Sequence, residues 1–138
     1  MSYEIINPES LGAPKGWNNG MVAPAGGRVL FVAGQSARDA SGRVMATTMT
    51  EQFAIVLDHI LTVVHAAGGK AEHIGRLTIF VTDLAAYVAS LKPIGEVYRK
   101  RMGRHYPAMA LLEVTGLMDD NSMIEVEATA VLPPETTG

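Results

Sequence analysis

Read for the spacing of its apolar positions, the chain divides into several short extended runs and one long stretch of helical period. Phe53, Val56, Leu57, Ile60, Val63, Val64 and Ala67 recur at steps of three and four, the spacing of one helix face. Thr47, Thr48 or Thr50 can cap the start of this helix, Glu51 and Gln52 suit the positive end of its dipole, and Gly68-Gly69 stops it. Residues 3–6, 20–23, 28–34, 76–82, 107–114 and 123–132 read as strands, rich in β-branched and apolar residues and bounded by Gly, Pro and polar clusters. Pro24-Ala25-Gly26-Gly27 predicts an antiparallel hairpin between the second and third of these. Asp83 can cap a second helical segment over residues 84–102. Pro93 inside it predicts a kink or a break into a short helix and a separate one starting near Pro93, the break being favoured. Residues 7–19 and 35–42 read as loops, the first long enough to be functional, and 116–122 as a turn. Pro133-Pro134 ends the last strand and leaves a tail expected to be mobile.

The order strand, hairpin, helix, strand, helix, hairpin predicts an α+β fold: one mixed six-stranded sheet with two crossover helices on the same face. At 138 residues the expectation is one domain over 1–138. The opposite sheet face is then the open question. In residues 28–34 both alternate sets are apolar, Val29, Phe31 and Ala33 against Leu30 and Val32, where a solvated face should be polar. A second copy of the chain is the simplest cover and predicts a homo-oligomer; the alternative cover is a loop such as residues 7–19. In the last strand Ile124, Val126, Ala128 and Ala130 lie on one side, and Glu125 and Glu127 on the other with Met123, Thr129 and Val131. A carboxylate at an interface either pairs with an arginine or has its pKa raised into the range of a general acid or base, and the pattern alone leaves both open.

Composition narrows the chemistry. Hydrophobic residues make up 48% and charged residues 18%, which excludes a disordered chain, and a net charge of −3 provides no overall field for nucleic acid or an anionic membrane. The absence of cysteine removes disulfides, thiolate metal sites and cysteine nucleophiles. No run of about 18 apolar residues suits a membrane span, and the start Met1-Ser2-Tyr3-Glu4 does not read as an export signal, so a cytoplasmic location is expected. Histidines 59, 65, 73 and 105 have no i, i+4 pair to aim at one metal, and His59 and His65 read as polar-face residues, so no metal is expected. No phosphate loop or dinucleotide glycine pattern is present, and no cofactor is expected. Arg99, Lys100, Arg101, Arg104 and His105 form the one basic run; at the end of a helix they complement its dipole, and no aromatic platform accompanies them to suit RNA.

The strings VAGQ (32–35), FVTDL (80–84), YPA (106–108), LLEV (111–114) and IEVEATAV (124–131), in this order across residues 17–132, resemble the Rid (YjgF, reactive intermediate deaminase, formerly endoribonuclease L-PSP) family. The resemblance implies a chorismate-mutase-like fold, a homotrimer with ligand clefts at its subunit interfaces, and hydrolysis of imino or enamino acids to keto acids and ammonia without cofactor. It places the water-activating glutamate at Glu125, the cleft backbone at Ala33, Gly34 and Gln35, and the early aromatic wall at Trp17 in place of a tyrosine. Where the deaminases carry the carboxylate-binding arginine of a PAR motif, this chain reads Pro107-Ala108-Met109, and Met109 offers no donor. An asparagine ahead of the helix tyrosine is also missing, since Gly95 stands three residues before Tyr98. Two readings follow: a variant hydrolase using Glu125 on an amino-acid-derived or aminomuconate-like metabolite, or a non-catalytic trimer binding a small metabolite between Trp17, Met109 and Leu111. Arg28 and Arg76 are possible cation donors to the cleft. A ribonuclease, after the older name, finds no His or Lys catalytic pair with a basic groove.

Overall fold

Thr48 begins the longest helix: its Oγ1 accepts the Glu51 N–H at 3.2 Å and donates to Glu51 Oε1 at 2.7 Å, closing the first turn from both sides. The computed structural model describes residues 2–135; the tail expected to be mobile runs on into residues 136–138, which lie outside them. The strands are β1 (Glu4–Ile6), β2 (Gly20–Val22), β3 (Arg28–Gln35), β4 (Ile74–Val81), β5 (Ala108–Glu113) and β6 (Ile124–Leu132). The helices are α1 (Met49–Ala66), α2 (Leu84–Ala89) and α3 (Leu91–Met102). The fold is the expected α+β class, with its six strands divided between a β1-β2 ribbon and a mixed sheet of order β3-β6-β4-β5.

Two strand neighbours differ from the sequence reading. The expected β2–β3 hairpin is absent, because β2 pairs antiparallel with β1, Glu4 opposite Val22. The Pro24–Gly27 turn instead carries the chain from the ribbon into the main sheet: Gly26 takes a φ of 77°, and a Cβ at Gly27 would collide with Val131 of β6. The expected closing hairpin is also absent. β5 runs parallel to β4 at the sheet edge, and β6 inserts between β3 and β4. The physical reason lies in β6, whose Ile124, Val126, Ala128, Ala130 and Leu132 are all buried; so apolar a strand belongs at the sheet centre.

All three helices cover one face. Val56, Ile60 and Val64 of α1 are fully buried against it, each contributing about 1.5–3 kcal/mol relative to exposure. The second helical segment breaks at Ser90, and Pro93 falls in the first turn of α3, where its missing N–H leaves no bond unmade. Asp83 Oδ1 accepts the Ala86 N–H at 3.0 Å and caps α2 as expected. Gln52 departs from its expected role at the helix end. It is 0% exposed, and its Nε2 donates to Ala46 O and Asn121 O, both at 2.9 Å, while its Oε1 accepts Met123 N–H at 2.8 Å. It thereby ties α1 to the turn before β6, where Asn121 sits at a φ of 69°.

The second face is open in the single chain. Phe31 is 80% exposed, with Val29 exposed on the same edge strand and Leu112 exposed on β5 at the opposite edge of the sheet. Only one end is covered, by the β1-β2 ribbon, where Tyr3 Oη donates to His73 O at 2.7 Å and accepts Val131 N–H at 3.1 Å.

Candidate functional site

Strand alternation decides where the chemistry lies. Ile79 of β4 is buried beneath the helices and pairs with Leu111 of β5, while Phe80 pairs with Leu112 on one side and with Glu125 of β6 on the other. Leu111 and Met109 therefore face the helices, and Glu125 faces the open side of the sheet.

On the helix side, the outer flank of β5 is not covered by α3, and a cleft of about 650 Å³ opens between β5, α2, α3 and the loop before β2. Its walls include Trp17, Tyr98, Tyr106, Met109 and Leu111. The Tyr98 and Tyr106 rings stack with centroids 5.4 Å apart and planes 7° from parallel. Tyr98 Oη donates to His105 O at 2.6 Å; burial, with a smaller effect of Tyr106, pushes the phenol pKa up, so it stays neutral. Asparagines pin the loop that carries Trp17. Asn18 Nδ2 donates to Tyr106 O at 2.7 Å, Asn7 Nδ2 donates to Asn18 Oδ1 at 2.8 Å, Asn19 N–H donates to Asn7 Oδ1 at 2.7 Å, and Trp17 Nε1 donates to Asn19 Oδ1 at 3.1 Å. Lys15, Gly95 and Arg99 also border the cleft.

On the open side, β3 carries a bulge: Val32 pairs with Ala128 and Gln35 with Val126, leaving Ala33 and Gly34 together across from Glu127. The Glu125 side chain lies over Gly34 so closely that a Cβ there would sit 2.7 Å from Oε2. Among the described residues Glu125 has no hydrogen-bond or ion-pair partner. Arg28, one of the possible donors, reaches Glu135 at 3.9 Å and Pro133 O at 3.1 Å instead.

The residues expected to form the site thus fall into two groups in one protomer. Trp17, Met109 and Leu111 share the cleft, whereas Glu125, Ala33 and Gly34 share the opposite face. Gln35 belongs with neither: its Nε2 donates to Ala33 O at 3.1 Å, and it borders a shallow depression with His59, Thr62 and Val63 of α1. The sequence reading did not assign Lys15, Gly95, Arg99, Tyr98 or Tyr106 to this cleft, although it compared Gly95 and Tyr98 with the deaminases' asparagine and tyrosine. The i, i+4 spacing of Gly95 and Arg99 was the available signal, but the basic run was read wholly as complementing the helix dipole. Arg101 of that run forks onto Asp58 at 2.7 and 3.1 Å. Three of the four histidines act structurally: His59 Nδ1 donates to Ser36 O at 3.1 Å, His105 Nε2 donates to Ile74 O at 2.6 Å, and His73 Nδ1 accepts Lys70 N–H at 2.9 Å. Burial lowers the His73 pKa, in keeping with that accepting role. Among the described residues no group of three His, Cys, Asp or Glu side chains could hold a metal ion, and no helix is long and apolar enough to cross a membrane.

The family model for endoribonuclease L-PSP matches residues 9–132. A RutC family protein of Pyrococcus horikoshii is 30% identical over 128 residues, 92% of this chain and 96% of that protein. The human 2-iminobutanoate/2-iminopropanoate deaminase is 26% identical over 111 residues, 80% of this chain and 77% of the relative. The crystal structure of YyfB from Yersinia pestis, a protein of unknown function of the conserved Rid family, superposes with a TM-score of 0.83 at 29% identity, covering 96% of this chain and 100% of its own.

Proposed function

Because the chain belongs to the endoribonuclease L-PSP (Rid, YjgF) family, we propose that it is a cofactor-independent imine or enamine hydrolase, a deaminase releasing a keto product and ammonia. Its substrate is then an amino-acid-derived or aminomuconate-like metabolite. The observation that carries this reading is the Glu125 carboxylate, half-buried over the Gly34 bulge and without a hydrogen-bond or ion-pair partner among the described residues. A carboxylate so placed can take a proton from water as the oxygen adds to the C=N carbon. The nitrogen gains that proton, and collapse of the carbinolamine breaks the C–N bond to give C=O and ammonia, so atoms balance with water as the only co-substrate.

The working unit in this proposal is a homotrimer. The exposed apolar face around Phe31 of one copy packs on the next and brings Glu125 to the Trp17–Met109–Leu111 cleft of its neighbour. That arrangement accounts both for the uncovered sheet face and for the division of the site across it. Met109 favours a second reading, a non-catalytic trimer that binds a small metabolite, because the thioether provides no donor where the related deaminases are expected to hold a substrate carboxylate.

Ammonia release from imines generated in situ from short amino acids, and from aminomuconate-type compounds, separates the two. The hydrolase reading expects turnover by the parent protein and a loss of at least about a hundredfold in Glu125→Gln. Equal rates in parent and variant would overturn it; a ligand that raises the melting temperature without being turned over would favour the binding reading.

A further inference from the structure

The charge arrangement around the cleft beside β5 has no role in the water-activating step. Aromatic and apolar side chains form its walls, and among the described residues no carboxylate borders it. Its charged groups are Lys15 and Arg99, and among the described residues neither is held in an ion pair. Arg99 owes its position to the residue one turn earlier. A Cβ at Gly95 would lie 3.1 Å from Arg99 Nη1 and 3.8 Å from Cζ, so the missing side chain leaves a lane in which the guanidinium folds back along α3 beside the cleft. Glycine within a helix costs about 1 kcal/mol against alanine, and Gly95 does not have the positive φ that would otherwise call for it. Arg101, two residues on, is already engaged with Asp58, whereas Arg99 remains available.

We propose that Arg99, assisted by Lys15, anchors the acid group of a ligand whose apolar body lies on Met109 and Leu111 beside Trp17. The ligand class is a bulky, largely apolar organic carboxylate. A volume of about 650 Å³ is in the range of sites that enclose such molecules, and the thioether of Met109 conforms to an apolar body where a polar floor would be left unpaired. A guanidinium keeps its charge at any physiological pH and can make two parallel hydrogen bonds to a carboxylate. The proposal rests on the hydrolase reading only for the reaction; the anchoring itself does not depend on turnover.

The test uses two unreactive probes of matched shape, 3-phenylpropionate and 3-phenylpropionamide. Binding is followed by calorimetry and by the fluorescence of Trp17, the one tryptophan of the chain. The parent protein is expected to prefer the carboxylate by about tenfold. Arg99→Gln is expected to remove most of that preference while leaving amide affinity unchanged, and the amide thereby reports that the cleft is intact. Arg99→Lys should restore part of the preference, and propionate should bind at least tenfold more weakly than 3-phenylpropionate. Equal affinity for the two probes in the parent, no binding of either at millimolar concentration, or a preference that survives in the Arg99→Gln, Lys15→Gln double variant would overturn the proposal. A parent protein that discriminates as expected yet releases no ammonia from any imine would count against the hydrolase reading and leave the anchor standing.

Discussion

Replacing Gln52 by leucine removes three hydrogen bonds, one buried and two part-buried, while nearly conserving volume. Met123 N–H, Ala46 O and Asn121 O lose their side-chain partner in an interior where Gln52 is 0% exposed. Leaving a buried polar group unpaired costs about 1–3 kcal/mol, and burying the leucine returns about 1.5–3 kcal/mol. With mid-range values for each of the three groups the net loss is about 4 kcal/mol, a large part of the 5–15 kcal/mol typical of a folded domain. At about 2.1 cal/mol/K of unfolding entropy per residue, that lowers the melting temperature by about 14 °C for a chain of 138 residues. Thermal and urea unfolding at one fixed protein concentration is the assay, since association would add a concentration-dependent contribution. Gln52→Glu sharpens it. The carboxylate faces two carbonyl acceptors, so the neutral acid is favoured in the folded state and the folded pKa rises above the unfolded value of about 4.3. The folded state then binds more protons, and the deficit relative to the parent is small below the unfolded pKa and grows as pH rises through the folded pKa. Gln52→Leu should show no such trend. A leucine variant melting within about 3 °C of the parent, or a glutamate variant with the same deficit at pH 4 and pH 7, would refute the account.

Gly34→Ala puts a Cβ 2.7 Å from Glu125 Oε2 and must displace the carboxylate by several tenths of an ångström; the hydrolase reading expects kcat to fall about tenfold to a hundredfold with little change in melting temperature, and no further loss when combined with Glu125→Gln. Phe31→Glu places a charge on the exposed apolar face and should convert the expected trimer to monomer in light scattering, whereas an unchanged mass would remove that face from the interface. His73 has its pKa lowered by burial, so the folded state binds fewer protons. Its contribution to stability is present above the unfolded value of about 6.5 and is lost as pH falls through the folded pKa. Urea midpoints between pH 7.5 and pH 5 should therefore decline less steeply in His73→Asn than in the parent.

Local rules made some parts of this molecule legible and not others. The α1 face, its Gly68-Gly69 stop, the break before Pro93 and the two sides of β6 depend on periodicity and backbone chemistry within a few residues. Which strand lies beside which depends on contacts between distant segments, and alternation reports a face without naming a neighbour. The pairing of β2 with β1 and the insertion of β6 between β3 and β4 were therefore misread as hairpins. Trp17, Met109 and Leu111 came together as expected, but the separation of Glu125 from them follows from a register that pairs Phe80 with Glu125 and Ile79 with Leu111. Arg99 was hidden by a sufficient simpler explanation, the helix dipole, until Gly95 was seen to make room for it.

The acid and the aromatic cleft occupy opposite sides of one sheet, so in the proposed trimer inheritance of the two halves is separable. A chain damaged at Glu125 still offers a sound cleft, and a chain damaged at Trp17 still offers a sound acid. Two inactive alleles expressed together would rebuild intact junctions wherever unlike copies meet in the right order, about one junction in four for random mixing. Defects on opposite sides of the sheet would then complement one another, whereas two defects on the same side would not.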